Sequence, residues 1–199
     1  MQHMEKIIAE LLPKLEKENR FVLGLDGLSR SGKTTFTAEL VRHLRERNFE
    51  AVALHLDDYI VERKRRYHTG EAEWFEYYGL QWDVEGLREH LFGRVGASGS
   101  LFLPKYESES DDHRMQEIVL PERGVVVIEG VFLQRGAWRE YLDGVIYLDC
   151  PREVRFARES PATRQNTDKF VNRYWQAEDH YLAAEDPLSQ ADWIVKEYS

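Results

Sequence analysis

Apolar positions along the chain follow two spacings, one typical of buried strands and one typical of helices. Short apolar runs, which predict strands, lie at residues 21–26, 51–56, 125–128, 144–148 and 192–196. Apolar stripes with helical spacing lie between them, at residues 4–19, 34–47, 84–92, 151–159 and 168–184. Such alternation indicates a central, mainly parallel sheet with right-handed crossovers. We therefore predict a three-layer α/β fold, with helices on both faces of the sheet.

Some segments interrupt this alternation. Pro13 falls inside the first helical stripe and predicts an irregularity there. Residues 60–82 are polar and aromatic without a clean period, and residues 93–100 are rich in Gly, Ser and Ala, as linkers are. The latter stretch is too short to separate domains, so residues 1–199 are predicted to form one domain.

The first strand is followed by a motif that defines candidate chemistry. Residues 27–34 spell Gly-Leu-Ser-Arg-Ser-Gly-Lys-Thr, which fits the phosphate-binding loop G-x-x-x-x-G-K-[ST] between a strand and a helix. The glycines permit backbone N–H groups to surround phosphate oxygens, Lys33 can reach the β- and γ-phosphates, and Thr34 can ligate Mg²⁺. The predicted ATP-binding residues are Gly27, Ser29, Arg30, Ser31, Gly32, Lys33, Thr34 and Thr35.

Carboxylates follow two other predicted strands. Asp57 and Asp58 come after the second strand, and Glu129 follows the apolar run 125–128. In a parallel sheet the carboxyl ends of the strands face one crevice, where ligands bind. Phosphoryl transfer needs a carboxylate to orient the acceptor and an acid near Mg²⁺. Adjacent side chains point to different sides, so one of Asp57 and Asp58 is expected to face the phosphate, and the sequence does not say which.

Composition narrows the class of partner. The formal net charge of −9 argues against non-specific binding to nucleic acid or to an anionic membrane, and the run 63–66 is interpreted as a solvated basic face. No apolar run approaches membrane-spanning length. The first residues lack the basic-then-apolar order of a secretion signal, and the single cysteine fits a reducing compartment. We therefore expect a cytoplasmic protein, with a homo-oligomer left open.

An ordered set of further segments resembles the uridine kinase/phosphoribulokinase family of small-molecule kinases. Residues 54–59 (Leu-His-Leu-Asp-Asp-Tyr) resemble the family's "D-D/S-F-Y" segment, residues 81–83 its "N-F-D" segment and residues 103–106 its "P-x-Y-D" segment. Residues 127–130 match its "hhEG" strand end, and residues 174–195 resemble its closing region. The resemblance spans about residues 21–195 and implies the P-loop kinase fold with ATP and Mg²⁺.

The resemblance also implies roles for the matched positions. Asp57 would be the base for the acceptor hydroxyl, and Glu129 would support Mg²⁺. The implied acceptor contacts are Asp83 on ribose hydroxyls, Tyr106 on sugar or base, and His113 with Arg114 in place of the family's "H-x-R". Residues 155–169 are rich in arginine and predict a lid over the phosphates, with Arg158 and Arg164 as its cations and Arg155 as a surface residue.

The sequence is compatible with several functions. The leading hypothesis is an ATP-dependent kinase for a hydroxyl of a nucleoside, uridine- or cytidine-like, or of a related metabolite. The segments after Asp83 and Tyr106 depart from the uridine kinase pattern, so nicotinamide riboside, pantothenate and ribulose 5-phosphate are alternative acceptors. A nucleotide-switch or ATPase module is a third hypothesis. One member of an aromatic cluster is expected to touch the substrate: Trp74, Phe75, Tyr77, Tyr78 or Trp82.

Overall fold

The fold is built on a five-stranded sheet in which all neighbouring strands are parallel. The computed structural model describes residues 2–17 and 19–196. The strand order is β2-β5-β1-β6-β7. The bounds of these strands are Arg20–Gly27 (β1), Ala51–His55 (β2), Gly124–Glu129 (β5), Gly144–Asp149 (β6) and Trp193–Lys196 (β7). The predicted fold class is confirmed, and each predicted strand of the sheet is present within two residues of its predicted bounds.

Strand β5 shows why the sheet is covered on both faces. Its side chains alternate between two hydrophobic clusters: Val125 and Val127 belong to one, Val126 and Ile128 to the other. All four are fully buried. A continuous β-branched run is therefore accommodated because each face of the sheet is packed against helices, which gives the three layers predicted from the sequence.

Two helices cover one face of the sheet, Gln2–Lys17 and Lys33–Glu46. Pro13 lies inside the first of them without ending it. Because Pro13 is exposed, the backbone carbonyl that loses its hydrogen bond lies on the solvent side of the helix. Residue 18, within the predicted stripe 4–19, lies outside the described residues.

The remaining helices are shorter and lie mostly on the other face and around the carboxyl edge of the sheet. They are Arg63–Arg66, Glu73–Tyr78, Val84–Leu87, Gly93–Val95, Gly136–Arg139, Arg152–Ala157, Pro161–Arg164, Thr167–Lys169, Gln176–Glu185 and Pro187–Gln190. A 3₁₀ turn spans Leu56–Tyr59, and π-helical turns span Arg88–Phe92 and Phe170–Trp175. Among the described residues, no helix is both long enough and apolar enough to cross a bilayer.

A β-hairpin stands apart from the main sheet and was not predicted. Its antiparallel strands are Ser100–Glu107 (β3) and Asp112–Val119 (β4). Leu101 and Leu103 are buried under the hairpin, while β4 is largely exposed. The linker-like interpretation of residues 93–100 is wrong in part, because the short helix Gly93–Val95 continues the preceding helical turns and β3 begins at residue 100.

Candidate active site

Three neighbouring strands carry the candidate site residues at their carboxyl ends. Strand β1 leads into the loop 27–34, β5 ends at Glu129, and β2 is followed within two residues by Asp57. Neighbouring strands lie about 4.8 Å apart, so the sheet brings residues that are distant in sequence to one edge. A cleft of about 990 Å³ opens there and is lined by Lys33, Thr34, Asp57 and Glu129 among others.

The loop 27–34 has the backbone that its glycines predict. Gly27 and Gly32 have φ of 150° and 100°, and Arg30 between them is also left-handed at 62°. A Cβ on Gly27 would lie 2.8 Å from the backbone oxygen of Leu148, so no larger residue fits this turn. Helix Lys33–Glu46 begins directly after Gly32 without a side-chain cap. Its first N–H groups are therefore available to an anion such as phosphate.

Lys33 lies in the floor of the cleft, only 9% exposed. Its Nζ donates a hydrogen bond to the backbone oxygen of Leu28 at 3.0 Å. Burial lowers the pKa of Lys33, and the charges of Glu129, Asp26 and Asp57 oppose that shift. A cation held among carboxylates inside a phosphate-binding loop suits contact with a polyphosphate.

Glu129 joins the loop to strand β2. It accepts hydrogen bonds from Thr34 Oγ1 at 2.9 Å and is 2.6 Å from His55 Nδ1. Burial alone would raise the pKa of Glu129, but the bonds from His55 and Thr34 and the charge of Lys33 hold it below its ordinary value. The same contact raises the pKa of His55, against the effect of burial. His55 was given no role from the sequence, although it lies within the segment 54–59 that contains Asp57.

The Thr34–Glu129 pair has the chemistry of a magnesium site. Hydroxyl and carboxylate oxygens are hard ligands, and Mg²⁺ ordinarily takes one or two protein oxygens together with substrate phosphates. Glu129 Oε2 is buried and has no hydrogen-bond partner among the described residues. The residues present therefore fit the ion.

The structure separates the two adjacent aspartates. Asp57 lines the cleft, whereas Asp58 pairs with Lys105 of the hairpin at 3.1 Å. Asp57 is exposed to the cleft on one side. The protein on its other sides partly desolvates the carboxylate, and this desolvation raises its pKa. The charge of Lys33 opposes this shift, while those of Glu129 and Asp58 add to it. A carboxylate with a raised pKa is a better proton acceptor than an ordinary one.

A buried ion pair in the cleft lining holds the phosphate loop at Ser29. Arg155 and Glu178 form a two-bond pair at 2.8 and 3.0 Å, and both are at most 5% exposed. Arg155 also donates to the backbone oxygen of Ser29 at 2.9 Å, while Glu178 accepts from the backbone N–H of Ser29 at 3.2 Å. The prediction that Arg155 is a surface residue is wrong, because its helix faces the loop and Glu178 compensates its charge.

The predicted lid contacts the phosphate loop through Arg158 and Glu159. Arg158 lines the cleft and donates to the backbone oxygen of Arg30 at 3.0 Å. Arg30 in turn forms an exposed two-bond ion pair with Glu159 at 2.9 and 3.0 Å. Arg164 is exposed at the end of helix Pro161–Arg164 and lies outside the cleft lining, which Thr163 reaches.

The residues predicted to recognise the acceptor are not gathered in the cleft. Asp83 is exposed and caps helix Val84–Leu87 by accepting from Gly86 N–H at 3.0 Å. Near the hairpin tip, Tyr106 donates to Asp111 at 2.8 Å, and His113 Nε2 is 2.9 Å from the backbone oxygen of Ile60. Arg114 is exposed and paired with Glu107.

Aromatic side chains border the cleft beyond Asp57. Of the cluster 74–82, Tyr77 lines the cleft, and its ring meets that of Tyr174 edge-on at 5.0 Å. Trp82 is instead 2% exposed within the core, and Trp74 and Tyr78 contact the His180 ring. Gln81 also lines the cleft, a position that the sequence did not single out.

The fold and the site together define a class of protein. A phosphate loop between β1 and a helix, with one acidic residue at the end of β5 and another just after β2, is the arrangement of P-loop kinases. A solved structure of D-glycerate 3-kinase from Cryptococcus neoformans shares the fold, with a TM-score of 0.65 over 97% of this chain and 95% of that chain, at 14% identity.

Comparison of sequences then gives the family. The chain belongs to the phosphoribulokinase/uridine kinase family, whose model matches residues 22–174, and it is a kinase. It is 25% identical to a uridine kinase of Staphylococcus haemolyticus over 187 residues, which is 90% of this chain and 88% of that one. It is 46% identical to a structure solved as a possible uridine kinase from Bacillus stearothermophilus, with 97% of both chains covered and a TM-score of 0.85.

Proposed function

We propose that this kinase transfers the γ-phosphoryl group of ATP to a hydroxyl group of a nucleoside, uridine- or cytidine-like, or of a closely related small metabolite. The observation that carries the proposal is the common cleft of Lys33, Asp57 and Glu129. One cation, one carboxylate with a raised pKa and one carboxylate bound to the loop threonine are the parts that phosphoryl transfer needs.

In this proposal Asp57 orients the acceptor hydroxyl and accepts its proton during in-line attack on the γ-phosphorus. The new bond forms between the hydroxyl oxygen and phosphorus, and the bond to the β-γ bridging oxygen breaks. Lys33, Arg158 and the loop N–H groups stabilise the charge on the transferred group. Arg158 is already in the cleft lining, so little movement is needed for it to reach a phosphate. A role for Arg164 would require closure of the lid.

Mg²⁺ would be held by Thr34 and Glu129. When bound, the ion supplies positive charge that offsets the charge of the β- and γ-phosphates. Independently of the ion, the hydrogen bond from His55 fixes the orientation of Glu129, whose second oxygen has no hydrogen-bond partner among the described residues. His55 thus supports the metal-binding carboxylate.

The identity of the acceptor is the open part of the proposal. Asp83, His113 and Arg114 all have partners on the protein. None of these three residues lines the cleft, so other acceptors of the same superfamily stay in the proposal as alternatives: nicotinamide riboside, pantothenate and ribulose 5-phosphate. The aromatic wall of Tyr77 and Tyr174 suits a planar or apolar part of the acceptor, whereas the phosphate of ribulose 5-phosphate would need a cation of its own.

The experiment is ADP release by the purified protein with Mg-ATP and each acceptor in turn: uridine, cytidine, nicotinamide riboside, pantothenate and ribulose 5-phosphate. Stimulation by uridine or cytidine supports the nucleoside proposal. Stimulation by another acceptor keeps the mechanism and changes the substrate. Slow hydrolysis that no acceptor accelerates would reject the proposal in favour of a nucleotide-switch or ATPase module.

A further inference from the structure

Gln81 is held in a fixed position beside the segment that carries Asp57. Its backbone oxygen accepts a hydrogen bond from Val61 N–H at 3.0 Å, and Ile60 and Trp82 form an isolated β-bridge. The Trp82 indole donates to the backbone oxygen of Leu56 at 2.9 Å. Residues 81–82 are therefore tied to both ends of the turn Leu56–Tyr59, which fixes the backbone of Gln81 relative to the turn that carries Asp57.

The Gln81 carboxamide has an unmet hydrogen-bonding requirement. The residue is 9% exposed and lines the cleft, and its Oε1 is buried without a hydrogen-bond partner among the described residues. Burial of a polar atom without a partner is costly, and such atoms are uncommon in folded proteins. A hydroxyl group both donates and accepts, so it would satisfy either end of the carboxamide.

The neighbours of Gln81 indicate the kind of molecule that would reach it. Ile60, bridged to Trp82, and Tyr77, four residues before Gln81 in the chain, both line the cleft. These side chains are apolar or aromatic, so they accept the carbon framework of a ligand and leave its hydroxyl groups to Asp57 and Gln81. The cleft at this end therefore suits an uncharged compound that carries two or more hydroxyl groups.

We propose that Gln81 is an acceptor-binding residue, whose carboxamide takes a hydrogen bond from a second hydroxyl of the acceptor while Asp57 acts on the first. The proposal rests on the phosphoryl transfer proposed above. Gln81 would then make the cleft select acceptors that carry two neighbouring hydroxyl groups. Asp83 does not occupy this position in the structure, because it caps a helix outside the cleft lining.

The test compares Gln81→Leu, similar in volume and without polar atoms, with Gln116→Leu on the exposed strand β4. For the acceptor that the wild-type protein uses, Gln81→Leu should raise KM about tenfold, the value of one hydrogen bond. The KM for ATP should not change. The melting temperature should stay equal or rise, because an unsatisfied buried group is removed. Gln116→Leu should change none of these constants.

Acceptors that lack one hydroxyl sharpen the test. If Gln81 binds the missing hydroxyl, removing that hydroxyl from the acceptor raises KM by the same step as Gln81→Leu. Both changes together should then raise the acceptor KM no more than either change alone. The proposal is overturned if wild type and Gln81→Leu have the same acceptor KM. It is also overturned if the effects of Gln81→Leu and of the missing hydroxyl on KM add up for every deoxy acceptor. A lower melting temperature of Gln81→Leu, with the KM values for acceptor and ATP both raised, would overturn it as well. If the wild-type protein uses no acceptor at all, the proposed function fails and this assignment fails with it, a result distinct from a normal wild type with an unaffected variant.

Discussion

Two adjacent aspartates have different surroundings, and this difference predicts different effects of the same substitution. Asp57→Asn should lower kcat by about 10²- to 10⁴-fold, the usual contribution of a general base, and should leave ATP binding unchanged. Asp58→Asn removes only a partly exposed pair with Lys105 and should change kcat by less than about threefold. Steady-state kinetics with nucleotide-binding titrations on both variants would measure this, and equal losses would contradict the assignment of Asp57 as base.

The raised pKa of Asp57 predicts the acidic limb of the pH profile. A base works only when deprotonated, so kcat should fall as pH drops through the pKa of Asp57 in the enzyme. Because desolvation by the surrounding protein raises that pKa above its ordinary 3.8, the fall should begin at a higher pH than for an aspartate in open water. Measurement of kcat at saturating substrates across the acidic range checks this, and a limb at the ordinary aspartate value would count against a desolvated carboxylate in the cleft.

Some residues could be predicted from sequence because their chemistry is local. The loop 27–34 is contiguous, and Glu129 directly ends an apolar run. Arg155 and Glu178 could not be found in this way, since Ser29 and Glu178 are 149 positions apart and meet only when the helices pack. Gln81 was also missed, because an unmet hydrogen bond is a property of the packed cleft and not of a sequence pattern.

At the scale of elements, the buried pair joins helices Arg152–Ala157 and Gln176–Glu185 to the phosphate loop. Glu178→Gln should lower the free energy of unfolding by about 3–5 kcal/mol, because it leaves the Arg155 charge buried without compensation. It should also raise the KM for ATP, since Ser29 loses its fixed orientation. Glu46→Gln breaks an exposed helical pair with Arg42 and should cost less than about 0.5 kcal/mol. Urea denaturation of both variants tests this, and equal stabilities would show that the pair contributes little.

The elements of the sheet were predictable, and the hairpin was not. Strands such as β5 are covered on both faces and therefore consist of continuous apolar runs. Strand β3 contains Pro104 and buries only Leu101 and Leu103, and β4 is almost wholly exposed. Neither strand shows a run or a clean alternation, so the sequence pattern resembled that of a loop although the backbone pairs over eight residues.

At the scale of the whole molecule, nucleotide binding should stabilise the fold. At a concentration of Mg-ATP one hundred times its Kd, the stabilisation is about 2.7 kcal/mol, which corresponds to a rise of about 5–10 °C in Tm for a chain of this size. Lys33→Met keeps the buried stem of the side chain and removes the charge, so the variant should fold, lose most of this rise and lose turnover. A full rise in Lys33→Met would contradict the role of Lys33 in binding phosphate. Chelation of Mg²⁺ should reduce the rise in the wild type.

Because the phosphate loop, Glu129 and Asp57 lie at the carboxyl ends of three adjacent strands, the hydrogen-bond ladder of the sheet sets the distances between them. The cleft wall beyond Asp57 comes instead from side chains outside the sheet: Ile60, Tyr77, Gln81 and Tyr174. An engineer could therefore exchange these side chains between relatives to change the accepted molecule while the sheet keeps the reactive groups in register. Over evolutionary time the same division would let new specificities arise on one chemical step.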